Sequence, residues 1–267
     1  MEDLSKYLDF SKELAFNAGK ILSKYFGNID SIITKSTPID IVTKADIESE
    51  KLIIDTIQKK FTNHTIISEE SDIQDKNSDF KWIIDPLDGT TNFIHNLPIF
   101  AVSIGLQYKD ETILGLVYNP AADKMFSALK NNGAYLNEKK IKSSSCKTLS
   151  DSLIVTGFPY LHDKKWEESF NIFKDFYSTS QGVRRLGAAA LDLCFVGMGR
   201  FEVFYEFNLK PWDICAGSII AQEAGAKVSD WNGVKYPDSG ERIIATNGLV
   251  HKEALDLLSN HNLDLYL

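Results

Sequence analysis

The stretch Trp82-Ile-Ile-Asp-Pro-Leu-Asp-Gly-Thr-Thr-Asn-Phe93 decides how the rest of the chain must fold. It opens as an apolar run bounded by turn residues, which predicts a buried β-strand. Pro86 has no amide proton and a fixed φ, so we expect the strand to stop at Asp85. Asp85 and Asp88 should then leave the sheet together. Two carboxylates held so close repel each other unless a cation lies between them.

Backbone amides follow these two carboxylates directly. Gly89 lets the chain turn freely, so the amides of Gly89, Thr90 and Thr91 can point at an anion. Carboxylates for a metal beside amides for a phosphate predict metal-assisted phosphate chemistry. The alternative is an ordinary loop, because Asp-Pro and Asp-Gly are common turn dipeptides. The compound string lies between two apolar runs, and this context favours the site over the loop.

The composition is that of an ordinary globular enzyme, with 43% hydrophobic and 25% charged residues among 267. A chain of this length forms one large domain or two lobes that share a core. Lys and Arg number 29 and Asp and Glu number 37, which gives a net charge of −8. This acidic balance argues against non-specific nucleic-acid binding, which needs cations that neutralise phosphates. An anionic substrate stays compatible with it, because bound divalent cations reverse the local sign.

The cysteines and histidines indicate neither a disulfide framework nor a zinc site. Cys146, Cys194 and Cys215 lie far apart, and the five histidines are equally scattered. No apolar run approaches the ~20 residues that cross a bilayer. Residues 1–6 lack the basic segment and the long apolar stretch of a signal peptide. We therefore expect a reduced, cytoplasmic protein that does not act at a membrane.

We expect a single catalytic domain, residues 1–267, with lobes at about 1–145 and 146–267. The first lobe should hold a helix at 4–26, a second helix after Thr43 and, beyond the central stretch, a meander of strands. The second lobe should alternate strands and helices. Ser143-Ser144-Ser145 is the best internal boundary, although it is too short to be a free linker.

Three further acidic residues have both a structural and a catalytic interpretation. Asp46, three residues after the predicted cap Thr43, suits a capping box, and Asp213 suits the first turn of a helix. Glu69 lies in an acidic run that is ordinarily a solvated loop. In the catalytic interpretation Glu69 folds back towards Asp85, and the small residues after Asp213 let its helix approach the same corner. Spacing alone does not separate these alternatives.

Four sequence blocks in one order resemble the signatures of the inositol monophosphatase family. They are Ile41-Val-Thr-Lys-Ala-Asp46, Ile67-Ser-Glu-Glu-Ser71, the stretch from Trp82 to Phe93, and Pro211-Trp-Asp-Ile-Cys-Ala-Gly217 followed by Glu223-Ala-Gly225. The resemblance runs from the first helix to about residue 250, nearly the whole chain. Two positions depart from the family pattern, Ala188 where relatives often carry Ser or Thr, and Ala226 where a second Gly often follows.

The resemblance implies a layered αβαβα fold that is usually a homodimer and hydrolyses small phosphate monoesters with two or three Mg²⁺ ions. It implies direct attack on phosphorus by a metal-activated water, without a phosphoenzyme. The leading substrate is myo-inositol monophosphate, because the run from Glu206 to Asp213 resembles the broad bacterial type. Histidinol phosphate, fructose 1,6-bisphosphate and NADP stay open as alternatives.

The matching blocks also imply roles for individual residues. The metal ligands would be Glu69, Asp85, the Leu87 carbonyl, Asp88 and Asp213. The catalytic residues would be Asp46, Glu69 and Thr90, of which Asp46 and Thr90 help to position the attacking water. The substrate contacts would be Asp88, Gly89, Thr90, Ala189, Glu206 and Asp213.

Two rival functions stay open on the sequence. A haloacid-dehalogenase-type phosphatase also places an Asp after an apolar strand and before Asp-Gly-Thr. That family separates its two Asp residues by one position, whereas Asp85 and Asp88 are separated by two. The other rival is a metal-binding or regulatory partner protein without turnover. The acidic composition permits it, although all the apparent catalytic positions are filled.

Overall fold

Two β-sheets, one of seven strands and one of five, carry the fold, and a two-stranded ribbon precedes them. The computed structural model describes residues 4–28, 32–34, 41–159, 163–236 and 242–263. Over these ranges the helices are α1 (Ser5–Tyr25), α2 (Lys44–Lys60), α3 (Thr90–Ile94), α4 (Lys164–Thr179), α5 (Ala189–Gly197), α6 (Pro211–Glu223) and α7 (His251–Leu258). Of these, none has both the length and the apolar character that crossing a membrane requires.

The strands are distributed over both halves of the chain. Those of the first half are β1 (Ile32–Thr34), β2 (Ile41–Thr43), β3 (Thr65–Ser68), β4 (Phe80–Asp88), β5 (Ala101–Tyr108), β6 (Glu111–Asn119), β7 (Lys124–Leu129), β8 (Ala134–Leu136) and β9 (Lys139–Lys140). Those of the second half are β10 (Leu153–Thr156), β11 (Gly182–Arg184), β12 (Val203–Phe207), β13 (Lys227–Ser229) and β14 (Arg242–Thr246). The seven-stranded sheet has the order β3-β4-β5-β6-β7-β8-β9, so the predicted meander is confirmed.

Helices and sheets stack as five layers, and the predicted αβαβα class is confirmed. Helices α1 and α2 cover one face of the seven-stranded sheet, in a core that includes Trp82. Helices α5 and α6 lie between the two sheets and contribute to the apolar clusters on both sides, as Ala190 and Leu193 do. Helices α4 and α7 cover the outer face of the five-stranded sheet, around Phe176 and Tyr205.

Helix α6 lies unusually close to strands β5 and β6. A Cβ atom placed on Gly105 would stand 2.4 Å from Cys215 Sγ, and one on Gly115 would stand 2.4 Å from the Ala216 carbonyl oxygen. These glycines therefore let the helix backbone rest almost directly on the sheet. The first turn of α6, which carries Asp213, is thereby brought beside the end of β4, as the small residues of this helix predict.

The predicted end of the central strand at Asp85 is wrong. Strand β4 continues through Pro86 to Asp88, and the register shifts between Asp85, which pairs with Ser103, and Asp88, which pairs with Ala101. A β-bulge leaves residues unpaired, so the missing amide of a proline removes no hydrogen bond from the sheet there. Asp85 and Asp88 consequently lie within the bulged end of a strand rather than on a loop.

His251 in α7 makes the stability of the second lobe depend on pH. Its ring nitrogens lie 3.1 Å from Ser229 Oγ and 3.1 Å from Thr246 Oγ1, and its side chain is buried. Burial, with a smaller contribution from Lys227, lowers the pKa of His251 to about 4 from an ordinary value of 6.5. Between these values the unfolded chain binds a proton that the folded protein does not, so stability falls as the pH drops from about 6.5 to 4.

Denaturant unfolding of the wild type and of His251→Gln at pH 7 and pH 5 tests this pH dependence. The free energy of unfolding should fall by about 2 kcal/mol more in the wild type than in the variant, because the variant lacks the titrating group. Equal losses in the two proteins would show that other groups cause the acid sensitivity.

Candidate active site

A cleft of about 570 Å³ lies where the bulged end of β4 faces the segments that lead into α5 and α6. The first half of the chain lines it with Glu69, Asp85, Leu87, Asp88, Gly89, Thr90 and Thr91. The second half lines it with Gly157–Pro159, Arg185, Gly187–Ala189, Glu206–Lys210, Trp212 and Asp213. Neither His nor Cys occurs among these described lining residues, so the ionisable groups at the cleft are carboxylates and two cations.

The carboxylates at the closed end of the cleft repel one another. Burial raises the pKa of Asp85 well above its ordinary value, and the charges of Glu69, Asp88 and Asp213 raise it further. Burial also raises the pKa of Asp88, to which Asp213 adds the largest charge contribution. The folded chain thus holds several acids together at an energetic cost, which a bound cation would offset.

This donor set fits Mg²⁺ in its chemistry. Magnesium prefers hard oxygen ligands and retains some of its waters, and the acids and the Leu87 carbonyl are oxygen donors only. Within the described ranges, no group of three or more His, Cys, Asp or Glu side chains is already drawn together closely enough to hold an ion. The acids face the cleft from its walls. What agrees with the preference of Mg²⁺ is therefore the type and the charge of these donors.

Backbone amides fix the orientation of three of these acids. Asp85 Oδ1 accepts a hydrogen bond from the Leu87 amide at 2.9 Å, and Asp88 Oδ2 accepts one from the Ala190 amide at 3.0 Å. Asp213 Oδ2 accepts one from the Lys210 amide at 2.7 Å, which is the helix-start interaction that its position predicts. One oxygen of each carboxylate thereby accepts a hydrogen bond from the backbone. Asp213 begins its helix and lines the cleft at the same time, so its structural and catalytic interpretations are compatible.

The contacts of Asp46 likewise agree with both its structural and its catalytic interpretation. Its Oδ2 accepts from the Thr43 amide at 2.8 Å and from Thr43 Oγ1 at 2.6 Å, which confirms the predicted capping box. Its Oδ1 lies 3.2 Å from Thr90 Oγ1, which also lies 3.0 Å from the Leu87 carbonyl oxygen. Burial, opposed in part by the Thr43 hydrogen bonds, raises the pKa of Asp46 to about 6. Asp46 does not line the cleft but orients Thr90, which does.

Glu206 forms the other end of the cleft. A Cβ atom placed on Gly157 would stand 2.0 Å from Glu206 Oε1, so the carboxylate lies against a bare stretch of backbone. Burial raises the pKa of Glu206 to about 8, the charge of Asp213 adds to the increase, and Arg185 opposes it. Ala189, which was also predicted to contact the substrate, opens α5 and lines the same end.

The structure therefore brings every predicted site residue either to the cleft or, for Asp46, into contact with a cleft residue. Arg185 and Lys210 lie in the ranges 158–190 and 206–210, where leaving-group contacts were expected, but sequence reasoning assigned neither of them nor Gly157 an individual role, although all three line the cleft. Gly157 carried a signal, since a glycine at the end of a predicted strand marks a close approach of another group to the backbone.

Comparison with known proteins gives one consistent result. The model of the Inositol monophosphatase family matches residues 3–263. The chain is 39% identical over 262 residues to a fructose-1,6-bisphosphatase/inositol-1-monophosphatase of Aquifex aeolicus, covering 98% of each chain. It is 40% identical over 256 residues to the Nus factor SuhB of Haemophilus influenzae, covering 95% of this chain and 96% of the relative. The solved structure of a Thermotoga maritima IMPase superimposes with a TM-score of 0.89 at 34% identity, covering 96% and 97% of the two chains.

Proposed function

The chain belongs to the inositol monophosphatase family and is a phosphoric monoester hydrolase, and on that premise we propose that it hydrolyses myo-inositol monophosphate in a Mg²⁺-dependent reaction. The observation that carries the proposal is the single cleft in which mutually repelling carboxylates face Glu206. The whole chain, residues 1–267, acts as one catalytic domain in this proposal.

The metal ligands in this proposal are those that the family resemblance implies. Two or three Mg²⁺ ions would be held by Glu69, Asp85, the Leu87 carbonyl, Asp88 and Asp213. When bound, the ions would supply positive charge that lowers the pKa of water and neutralises the charge that develops on the phosphoryl group and the leaving oxygen. The raised pKa values of Asp85 and Asp88 support this assignment, because these acids lack a compensating charge on their own.

Thr90 orients the attacking water. Its hydroxyl lies within hydrogen-bonding distance of Asp46 Oδ1 and of the Leu87 carbonyl, and each of these can only accept when Asp46 is ionised. The Thr90 proton is therefore donated to one of these two acceptors, and the Thr90 oxygen is left to accept a hydrogen bond from water. This contact turns a lone pair of the water towards phosphorus, and Glu69 is placed to assist in taking up the proton.

The leaving alcohol is recognised at the Glu206 end of the cleft. Glu206, when ionised, accepts hydrogen bonds from the hydroxyl groups of a polyol, and Ala189 leaves room for the ring. Gly89 and Thr90 contact the phosphate from the opposite side, together with Asp88 and Asp213. A ring that carries several hydroxyl groups, as in inositol, fits a carboxylate-lined end better than an apolar alcohol does.

The alternatives share the same chemistry and differ in the alcohol. The Aquifex relative is named for both fructose 1,6-bisphosphate and inositol monophosphate, which keeps the sugar bisphosphate in the comparison. Histidinol phosphate and NADP complete the set. The family match disfavours the haloacid-dehalogenase-type rival, and trapping of an acyl-phosphate on Asp85 would be needed to restore it.

Phosphate release from these four substrates, measured with Mg²⁺ and with EDTA, tests the proposal. Inositol monophosphate should give the highest kcat/KM, and EDTA should reduce turnover of every substrate to background because the acids alone repel the phosphate. A higher kcat/KM for another substrate would replace inositol monophosphate as the proposed substrate and leave the proposed reaction unchanged. Turnover that survives EDTA, or the absence of turnover on the whole panel, would contradict the proposed reaction.

A homodimer is the further expectation from the family resemblance, and a cytoplasmic location is the expectation from the cysteine content and residues 1–6. Sedimentation equilibrium of the purified chain measures the first part directly, and a monomer at micromolar concentration would contradict it.

A further inference from the structure

The buried amide of Asn92 links segments from the two halves of the chain beside the cleft. Its Nδ2 lies 2.8 Å from the carbonyl oxygen of Ile99 in the first lobe. The same nitrogen lies 2.7 Å from the carbonyl oxygen of Leu186 and 3.3 Å from that of Gly187, both in the second lobe. Asn92 is 6% exposed and belongs to α3, which begins directly after Gly89. One side chain thus contacts two residues that lie 94 and 95 positions further along the chain.

The segment to which Asn92 donates hydrogen bonds leads to the amide that orients Asp88. Leu186 and Gly187 lead into α5, and the Ala190 amide near the start of that helix donates to Asp88 Oδ2 at 3.0 Å. Gly187 itself lines the cleft. A displacement of this segment would therefore move both the hydrogen-bond donor that orients Asp88 and the wall that faces the leaving alcohol.

The junction around Gly187 leaves little room to absorb such a displacement. Gly187 has a φ of +82°, and a Cβ atom there would stand 2.7 Å from Arg185 Nη1 and 3.3 Å from Asn92 Nδ2. A Cβ atom on Gly89 would stand 3.3 Å from the Gly187 carbonyl oxygen and 2.9 Å from that of Ile99. The backbone around Gly89 therefore lies so close to the Gly187 carbonyl that no side chain fits between them, and the hydrogen bonds of Asn92 span the same junction.

We propose that Asn92 is a positioning residue that sets the width of the cleft between the carboxylate wall and the leaving-group wall, and so the preference for a large alcohol. The amide performs this role through hydrogen bonds to backbone carbonyls rather than by contact with the substrate. The structural part of the inference stands on the contacts alone, whereas the preference for a large alcohol rests on the proposed function.

Asn92→Asp is the sharpest test, because it keeps the shape of the side chain and replaces the donor by a carboxylate that faces three carbonyl oxygens. Asn247→Asp is the matched control. Asn247 is 4% exposed, and its Nδ2 donates to the Cys146 carbonyl at 2.7 Å, outside the cleft lining. Hydrogen exchange of the backbone amides from 186 to 190 should become at least tenfold faster in Asn92→Asp and stay unchanged in Asn247→Asp.

The kinetic readout is the ratio of kcat/KM for inositol 1-phosphate to kcat/KM for glycerol 2-phosphate, which has a smaller alcohol. This ratio should fall about tenfold or more in Asn92→Asp, since small misplacements cost up to ~100-fold in rate, and stay at the wild-type value in Asn247→Asp. If Asn92→Asp does not fold, Asn92→Ser, which keeps a single short donor, replaces it in both measurements.

Unchanged exchange of residues 186–190, or equal acceleration in the Asn247 control, would overturn the positioning role. Faster exchange with an unchanged kinetic ratio would overturn the effect on leaving-group preference. A wild-type protein that hydrolyses neither substrate would refute the proposed function instead, and the exchange measurement would still decide the structural role of Asn92.

Discussion

Replacing Asp85 by Asn is expected to abolish Mg²⁺-dependent turnover and, at the same time, to stabilise the metal-free protein. The turnover loss follows from removing one charge from the proposed ligand set, and it should exceed a thousandfold, about 4 kcal/mol of transition-state stabilisation. The gain in stability follows from the burial of Asp85 among Glu69, Asp88 and Asp213, which all disfavour its charged form. Asn can still accept the hydrogen bond of the Leu87 amide, so the bulge should be retained.

In the presence of EDTA, the Tm of Asp85→Asn should therefore be higher than that of the wild type. Asp230→Asn serves as the control, because Asp230 is similarly buried but lies outside the cleft lining and pairs with a cation, Arg242, whose Nη2 lies 3.8 Å from Asp230 Oδ2. That variant should lose stability and keep its activity, the opposite pattern. Near-normal turnover of Asp85→Asn would remove Asp85 from the mechanism, and a lower Tm without metal would contradict the repulsion among the acids.

Thr90→Ala is expected to lower kcat by about 100- to 1,000-fold, because the water would lose the group that orients it. The Mg²⁺ concentration that gives half-maximal activity should change by no more than about twofold, since the Thr90 hydroxyl contacts Asp46 and a carbonyl rather than contributing charge. Thr90→Ser keeps the hydroxyl and should recover most of the rate. Steady-state kinetics at several Mg²⁺ concentrations separate the two quantities.

A comparable loss of Mg²⁺ affinity in Thr90→Ala would argue against a role in orienting water, because the substitution would then act through the ligands. Failure of Thr90→Ser to recover activity would argue that the methyl group, and hence packing, is what matters. Both results would leave the Mg²⁺ dependence of the reaction untouched.

Local sequence patterns predicted most of the secondary structure because they report interactions between near neighbours. The spacing of apolar residues placed α1 within one residue at each end, and the cap at Thr43 placed the start of α2. The same patterns missed β13, whose three residues are too few to show an alternation, and which exists because it pairs with β14. They also ended β4 too early, because a bulge depends on the partner strand and not on Pro86 alone.

The four family blocks allowed the residue types at the site to be predicted from the sequence. They did not allow the contacts and charge interactions among those residues to be predicted. Nothing in the spacing of Asp46 could show that one carboxylate both caps a helix and contacts Thr90. Arg185 was missed because a cation after a short strand is ordinarily on the surface, and only the fold turns it towards Glu206.

The sequence by itself determined most helices and the strand meander through local periodicity. Its resemblance to family motifs, whose residues are adjacent in the chain, implied the layered class, the catalytic family and the identity of the acids. The tertiary structure alone decided that α6 rests on the glycines of β5 and β6, that Asn92 ties α3 to the segment before α5, and that the acids share one cleft. The physical reason is that close backbone approach and electrostatic repulsion depend on distances between residues far apart in sequence, which only the assembled layers fix.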